Sequence, residues 1–300
     1  MHTNQMLSIA ALAQAEGCAV RTQEPLAQHT TFRIGGPAAL WVEVPTADVM
    51  AELHRACAES RVPCVVLGCG SNVLASDAGF NGVILHPAAP EFTQITVTGD
   101  RVTAGAGAKL SALAVCARDH GLSGLEFAYG IPGSVGGAVY MNAGAYGGEI
   151  KDALVRCTVL TRDHRIETRP AESLALAYRH SALMDDDAIV LSAEFALTPG
   201  NPEQIGAQMN DYMARRKAKQ PLDLPSAGST FKRPAGSFAG ALIEQCGLKG
   251  ARVGDAQVSE KHAGFIVNLG NATAGNVRAL IAYVQRVVEM ETGVALECEI

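Results

Sequence analysis

The residues of this chain most suited to chemistry are glycines and a few scattered polar side chains. Gly68-Cys-Gly-Ser-Asn72 follows the apolar run Cys64-Val-Val-Leu67. A glycine turn at a strand exit can aim successive backbone N–H groups at one point, a nest that holds a pyrophosphate without Lys or Arg. Gly and Asn also serve tight strand exits for conformational reasons alone, so both readings stand. The second tract is denser, with seven glycines between Gly130 and Gly148. Gly130-Ile-Pro-Gly-Ser-Val-Gly-Gly-Ala138, continued by Met141-Asn-Ala-Gly-Ala-Tyr146, would let a flat or extended ligand lie on bare main chain. A close-packed strand and turn is the alternative.

Among single side chains, Ser229 sits in a Gly-Ser loop, where most serines bond their own backbone. Arg179 lies between Tyr178 and His180 and would by itself pass for a surface or ion-pair residue. Glu297 and Glu299 alternate on an expected terminal strand and would face one side. Arg215, Arg216 and Lys217 suit the end of a helix, whereas Lys219, just before Gln220-Pro221, is expected to leave it and reach an anion. Gly105-x-Gly107 opens like a dinucleotide fingerprint, but Leu110 stands where the third glycine belongs. A Rossmann nicotinamide site is therefore rejected, and the absence of a Walker A loop leaves ATP chemistry unsupported.

The elements that must position these residues follow from periodicity and punctuation. With 300 residues the chain exceeds the size at which one core keeps growing, so two or three lobes are expected. An N-terminal helix covers Met6 to Ala13. Ala47 to Ser60 is a helix with Val49, Met50, Leu53 and Cys57 on its apolar face, and Cys64 to Leu67 reads as a buried strand. A hairpin follows at Ile95 to Ala104 around Gly99-Asp100, then a helix from Lys109 to His120 stopped by Gly121. Strands are placed at Val155 to Thr161 and Ile189 to Leu197. Pro199-Gly-Asn-Pro202 opens a new lobe, with Asn201 as N-cap and Pro202 in the first turn. Its later elements are a helix Ser237 to Cys246, a strand Phe265 to Leu269, a helix Ala274 to Thr292 stopped by Gly293, and a strand Val294 to Ile300.

The formal charge of −6 argues against a general nucleic-acid binder, which needs a surplus of Lys and Arg. The eight cysteines are dispersed, with no CxxC and no zinc spacing, and read as buried free thiols; no metal site is expected. No apolar run approaches the roughly 20 residues of a membrane span. Met6 to Ala13 lacks the basic residue that precedes a signal-peptide core, so a cytoplasmic address is expected.

Taken in order, Phe32-Arg-Ile-Gly-Gly-Pro-Ala38, Leu67-Gly-Cys-Gly-Ser-Asn72, Gly124-Leu-Glu-Phe-Ala128, Ile131-Pro-Gly-Ser-Val-Gly-Gly-Ala138, Met141-Asn-Ala-Gly-Ala-Tyr-Gly147, Tyr178-Arg179, Lys219-Gln-Pro221, Pro225-Ser-Ala-Gly-Ser-Thr-Phe-Lys232 and His262-Ala-Gly-Phe-Ile-Val-Asn268 resemble the UDP-N-acetylenolpyruvoylglucosamine reductases, in the branch with the shorter stretch between Tyr178 and Ser229. The resemblance covers nearly the whole chain. It implies an α+β protein with an FAD-binding fold of the p-cresol methylhydroxylase type, in two subdomains (residues 1–85 and 86–199), and an α+β substrate-binding domain (200–300) whose last strand contributes to the active site.

FAD, held without a covalent link, would rest on Gly68, Cys69, Gly70, Ser71, Asn72 and Leu74 and on Gly133, Ser134, Val135, Gly136, Gly137 and Ala138. Residue by residue, Ser229 matches the family's proton donor, Arg179 its active-site arginine and Glu299 its C-terminal glutamate, while Tyr146, Tyr178, Lys219 and Arg233 would touch substrate. The implied reaction uses NADPH to reduce UDP-N-acetylglucosamine enolpyruvate to UDP-N-acetylmuramate in peptidoglycan synthesis, in a monomer that binds neither nucleic acid nor membrane. Two rivals remain on the residues alone. One is another FAD oxidoreductase of the same fold acting on an alcohol or lactone; the other is a UDP-sugar binding protein or transferase without a redox step.

Overall fold

The computed structural model describes residues 3–300 and divides into two compact units. The first comprises the chain up to Glu24, Ala39–Cys69 and Asn81–Ala214; the second comprises Pro25–Ala38, Gly70–Phe80 and Arg215–Ile300. The glycine loop at 68–72 thus passes from one unit to the other between Cys69 and Gly70.

In the first unit, α1 (Thr3–Ala15), β1 (Ala19–Pro25), β2 (Pro37–Glu43), α2 (Ala47–Glu59), β3 (Cys64–Val66) and β4 (Phe80–His86) build a four-stranded sheet of order β1-β2-β4-β3 with its helices. Thr46 caps α2, its hydroxyl accepting from the Val49 N–H at 3.3 Å, a contact worth about 1 kcal/mol. The expected apolar face of α2 is the buried one: Val49, Met50, Leu53 and Cys57 share a core with Met6 and Ile9 of α1 and with Leu40, Val42, Val83 and Leu85 of the sheet. The buried strand expected at Cys64–Leu67 needs correction. β3 is a short edge strand that pairs only with β4, in parallel, and leaves Val65 45% exposed. An apolar run at a sheet edge has the same pattern in sequence as one at its centre.

A second sheet in this unit is antiparallel throughout. It contains β5 (Ile95–Thr98), β6 (Arg101–Gly105), β7 (Leu154–Leu160), β8 (Ile166–Pro170) and β9 (Ile189–Ala196), in the order β8-β7-β9-β6-β5. Leu191, Ala193 and Phe195 of β9 are buried, as their alternation requires. β8 escaped the sequence reading because Ile-Glu-Thr-Arg-Pro has no sustained apolar alternation and lies at an edge. Two helices accompany the sheet. α3 (Leu110–Asp119) stops at Gly121, whose φ of +67° favours glycine, and α4 (Val135–Tyr140) packs on β9.

The next helix, α5 (Pro202–Lys219), starts as expected, with the Asn201 side chain accepting from the Glu203 N–H at 2.8 Å and the Gln204 N–H at 3.2 Å. It also continues through Lys219, so that residue does not leave the helix as the following Gln-Pro suggested. Proline restricts the residue before it, here Gln220, and not Lys219.

The second unit adds α6 (Ala239–Gln245), β10 (Arg252–Val253), β11 (Ala256–Val258), β12 (Ile266–Asn268) and α7 (Ala274–Thr292). Its core joins Ile243, Val258, Ile266, Val277, Leu280 and Val284 to Phe32 and Ile34 from early in the chain. Asp77 makes the 70–80 segment part of this unit by capping α7, its two oxygens accepting from the Ala274 and Gly275 N–H groups at 2.6 and 2.8 Å. An anion there satisfies orphan donors and opposes the helix dipole. The expected terminal strand is a second correction. Val294–Ile300 forms only a bridge from Cys298 to Phe231, because its partner segment 229–232 is itself an irregular loop.

Candidate active site

In the first unit two segments far apart in sequence meet at Ser134. A Cβ placed on Gly68 would run into the Ser134 hydroxyl, and Ser134 is also bridged to Lys109. The glycine tract is not bare extended chain but the N-terminus of α4: Ser134 is its N-cap, accepting from the Gly137 N–H at 3.4 Å. Gly133, Val135 and Gly136 hydrogen-bond to Leu110, Ala108 and Ala106 respectively. Gly136 is pressed against Ala106, where an added Cβ would come within 2.9 Å of the neighbouring Cβ, so packing already requires its small size. Gly137 has only the Ser134 hydroxyl near its Cβ position, at 3.4 Å. Burial pushes the Cys69 thiol up, with the Lys109 cation opposing. Sequence reasoning did not single out Lys109, which it treated as the start of a helix.

Beyond α4 the same unit displays Tyr146, Tyr178 and Arg179 on two tight turns. Gly144–Ala145 and Gly148–Glu149 pair as a small hairpin whose central residues, Tyr146 and Gly147, both have positive φ, +54° and +88°. That is the mirror-image turn favoured between twisted strands. The Tyr146 ring stacks on Tyr212 of α5, centroids 4.7 Å apart and planes 8° from parallel. Tyr178 and Arg179 occupy the middle of a turn closed by hydrogen bonds in both directions between Ala177 and His180. Arg179 has φ +54°, its guanidinium donates to the Gly144 carbonyl at 3.4 Å, and it lies 5.0 Å from the centre of the Tyr178 ring.

In the second unit Ser229 and Glu299 lie on segments joined through Thr230, and the Asn72 side chain reaches the same segment; Gly70, Ser71 and Leu74 belong to this unit as well. Gly70 has φ +57°, and a Cβ there would strike the His29 carbonyl. Ser229 is bridged to Phe265, and the next residue, Thr230, donates its N–H to Gly264 at 2.8 Å. The Glu299 N–H donates to the Thr230 carbonyl at 2.9 Å, while the Asn72 side chain donates to the Glu299 carbonyl at 3.2 Å. Leu74 packs on the unit's core. Glu297 and Glu299 differ in setting: Glu297 is exposed and ion-paired with Lys232, whereas Glu299 is half-buried. Lys219 is exposed at the end of α5, and Arg233 lies 4.7 Å over the Phe238 ring. His262 is held below the usual imidazole range chiefly by burial, with Lys249 and Lys219 adding to that shift and its own backbone and Glu244 opposing it.

Comparison with known proteins decides the family. Residues 38–168 match the FAD binding domain family, and residues 220–300 match the UDP-N-acetylenolpyruvoylglucosamine reductase C-terminal domain. The reductase of Agathobacter rectalis is 50% identical, covering 92% of this chain and 91% of its own length. That of Syntrophomonas wolfei is 46% identical, covering 94% of each. This chain belongs to the UDP-N-acetylenolpyruvoylglucosamine reductase family. The crystal structure of the reductase from Thermus caldophilus superposes with a TM-score of 0.81 at 38% identity, over 94% of this chain and 98% of that one.

As a member of this reductase family, the chain is an FAD-dependent oxidoreductase of α+β fold. On the two segments expected to carry the flavin, Gly68 and Ser134 approach so closely that a Cβ on the first would meet the hydroxyl of the second. Among the described residues no group of three or more His, Cys, Asp or Glu is placed to hold a metal, and no helix is long and apolar enough to cross a membrane. All eight cysteines are free; Cys18, Cys57 and Cys157 are buried and the other five are partly exposed, fewer buried than expected.

Proposed function

We propose that this reductase uses NADPH to convert UDP-N-acetylglucosamine enolpyruvate to UDP-N-acetylmuramate, a step of peptidoglycan synthesis. The observation that carries this reading is agreement with reductases of that name along more than nine-tenths of the chain. FAD, when bound, would supply hydride-transfer chemistry between NADPH and the methylene carbon of the enolpyruvyl ether. The chain's own residues handle the charge and proton that this leaves.

Hydride addition puts negative charge on the carbon bearing the ether oxygen and into the adjoining carboxylate. Arg179 stabilises that charge through its planar, permanently cationic fork. Ser229 donates its hydroxyl proton to the ether-bearing carbon and is reprotonated by solvent. A hydroxyl is a weak acid, but a carbanion-like centre is a strong base, so placement counts for more than acidity. Glu299 is a further active-site contact of the same centre. The partial burial of Glu299, with the Asn72 side chain donating to its carbonyl, supports choosing it over the exposed Glu297, which is ion-paired with Lys232.

Lys219 holds the diphosphate as a point charge, with Arg233, Tyr146 and Tyr178 as further substrate contacts. Gly68 to Asn72 with Leu74, and Gly133 to Ala138, hold the flavin through main chain. In domain terms, residues 1–85 and 86–199 serve FAD and 200–300 serve the substrate. We further place the enzyme in the cytoplasm as a monomer with no nucleic-acid or membrane partner; its net charge of −6 supports the absence of a nucleic-acid partner.

The test is direct. NADPH oxidation by the purified yellow protein should begin only when UDP-N-acetylglucosamine enolpyruvate is added. Colourless protein, or NADPH consumption indifferent to the sugar nucleotide, would contradict the reading and favour a non-redox UDP-sugar protein.

A further inference from the structure

Asn142 is fully buried, yet it stands at a backbone position that normally takes glycine. α4 ends in a paired-bond cap, the Ala143 N–H donating to the Ala138 carbonyl at 2.8 Å and the Asn142 N–H to the Val139 carbonyl at 3.1 Å. The residue at this point must be left-handed, and Asn142 has φ +41°. Glycine would adopt that conformation with less strain, so the side chain must contribute something that offsets it.

What it contributes is three hydrogen bonds. Its amide nitrogen donates to the Glu149 carboxylate at 2.7 Å and to the Ala177 carbonyl at 3.0 Å, and its oxygen accepts from the Lys151 N–H at 2.9 Å. Ala177 begins the turn that carries Tyr178 and Arg179. The far side of that turn is tied to the same helix end, because the fully buried Ser181 donates its hydroxyl to the Tyr140 carbonyl, the last of α4, at 2.6 Å. Arg179 itself is left-handed, a conformation an arginine adopts only when its surroundings impose it. Two buried side chains therefore clamp a strained four-residue turn from both ends onto the helix that opens with Ser134.

We propose that Asn142, assisted by Ser181, is a positioning residue that holds Arg179 in its left-handed turn and so aims the guanidinium. The proposal rests on the reading that Arg179 stabilises charge on the substrate. Releasing either end lets Arg179 relax to the common right-handed φ, which swings its side chain away. Misplacement of a catalytic group by about 1 Å can cost on the order of a hundredfold in rate.

The experiment compares Asn142→Gly, Ser181→Ala and Arg179→Ala, singly and with each of the first two combined with the third. Asn142→Gly suits the backbone of the cap and leaves Glu149 paired with Lys151 at 2.5 Å, so it removes the clamp without stranding a carboxylate. Ser181→Ala deletes a single bond and keeps the test open should the first variant fold poorly. Hydrogen exchange of the amides at Tyr178 to Ser181 should quicken in both variants while those of α7 keep their protection. NADPH-driven loss of flavin absorbance should stay within about twofold, whereas its return on adding the UDP-sugar should slow by roughly ten- to a hundredfold. In the Arg179→Ala background the same changes should cost little more. A slowing of equal size in that background, or unchanged return rates in the single variants, would overturn the positioning role and leave Arg179 in place. Normal return of absorbance in Arg179→Ala alone would instead remove Arg179 from the reaction, and the proposal with it.

Discussion

The two units present their candidate residues in opposite ways. In the first, the candidate positions are places where a side chain is missing or the backbone is left-handed: Gly68 and Gly136 on the segments assigned to the flavin, and Asn142, Tyr146 and Arg179 beyond them. In the second, Ser229 and Glu299 are ordinary side chains on segments joined by backbone hydrogen bonds through Thr230, Gly264 and Phe265. The first arrangement is vulnerable to added atoms and to lost clamps; the second tolerates changes of side chain, because the backbone bonds do not depend on them. Changes in the first region should thus affect cofactor retention, local order and the aim of Arg179, and changes in the second should affect chemistry or substrate affinity with the fold kept.

The largest expected effect comes from adding a side chain. Gly68→Val must push against Ser134, the cap of α4, and should yield protein with less than about a tenth of the normal bound flavin but ordinary helical circular dichroism. Full flavin content would break the contrast at its first term. Gly136→Val, whose added side chain would meet Ala106, should lower flavin content in the same way, and circular dichroism of both variants separates loss of flavin from loss of packing.

Removing a side chain from the second unit should do less. In Lys219→Ala the fold stays intact and the Michaelis constant for the UDP-sugar rises about tenfold, with turnover nearly unchanged, because a diphosphate contact far from the reacting carbon is made equally in ground and transition states. Steady-state kinetics would show this, and a fall confined to turnover would instead move Lys219 into the chemistry.

The smallest effect is on stability against pH. Burial holds His54 below the usual imidazole range, the neighbouring His164 adds to this, and Asp187 opposes it; the two rings are 3.0 Å apart between Nδ1 atoms. Since the folded pKa is below the unfolded one, the unfolded chain takes up the proton first as pH falls. Stability should be level above the ordinary imidazole pKa of about 6.5 and decline from there toward the lower folded value. His262 in the second unit is shifted in the same direction, again chiefly by burial. Urea midpoints at several pH values should show a shallower acid decline in both His54→Asn and His262→Asn; an unaltered decline in His54→Asn would mean that its burial does not matter.

Much of this was legible in the sequence because the signals were local. The cap at Asn201, the glycine stops at Gly121 and Gly293 and the apolar face of α2 all lie where spacing and punctuation put them. Short edge elements were misread or missed, as with β3 and β8, because they carry half a pattern and their exposure depends on partners elsewhere in the chain. The helix at Val135–Tyr140 was hidden for another reason: a stretch rich in glycine has low helical propensity, and tertiary packing overrides it. The clamp at Asn142 and Ser181 and the Tyr212 stack were beyond reach, since each depends on residues 35 or more positions distant. Asn142 did lie inside a quoted motif. What it touches could be known only from the fold.

The central claim, that the second unit supplies a proton donor needed only for the carbon centre, is tested most directly by rapid anaerobic mixing of Ser229→Ala. Bleaching of the flavin by NADPH should proceed at close to the normal rate, since that step needs no proton at carbon. Return of absorbance on adding UDP-N-acetylglucosamine enolpyruvate should slow by about two to four orders of magnitude, the usual loss when a positioned general acid is removed. If bleaching slowed and the return were unaffected, Ser229 would not be the proton donor and its loop would belong to nicotinamide binding.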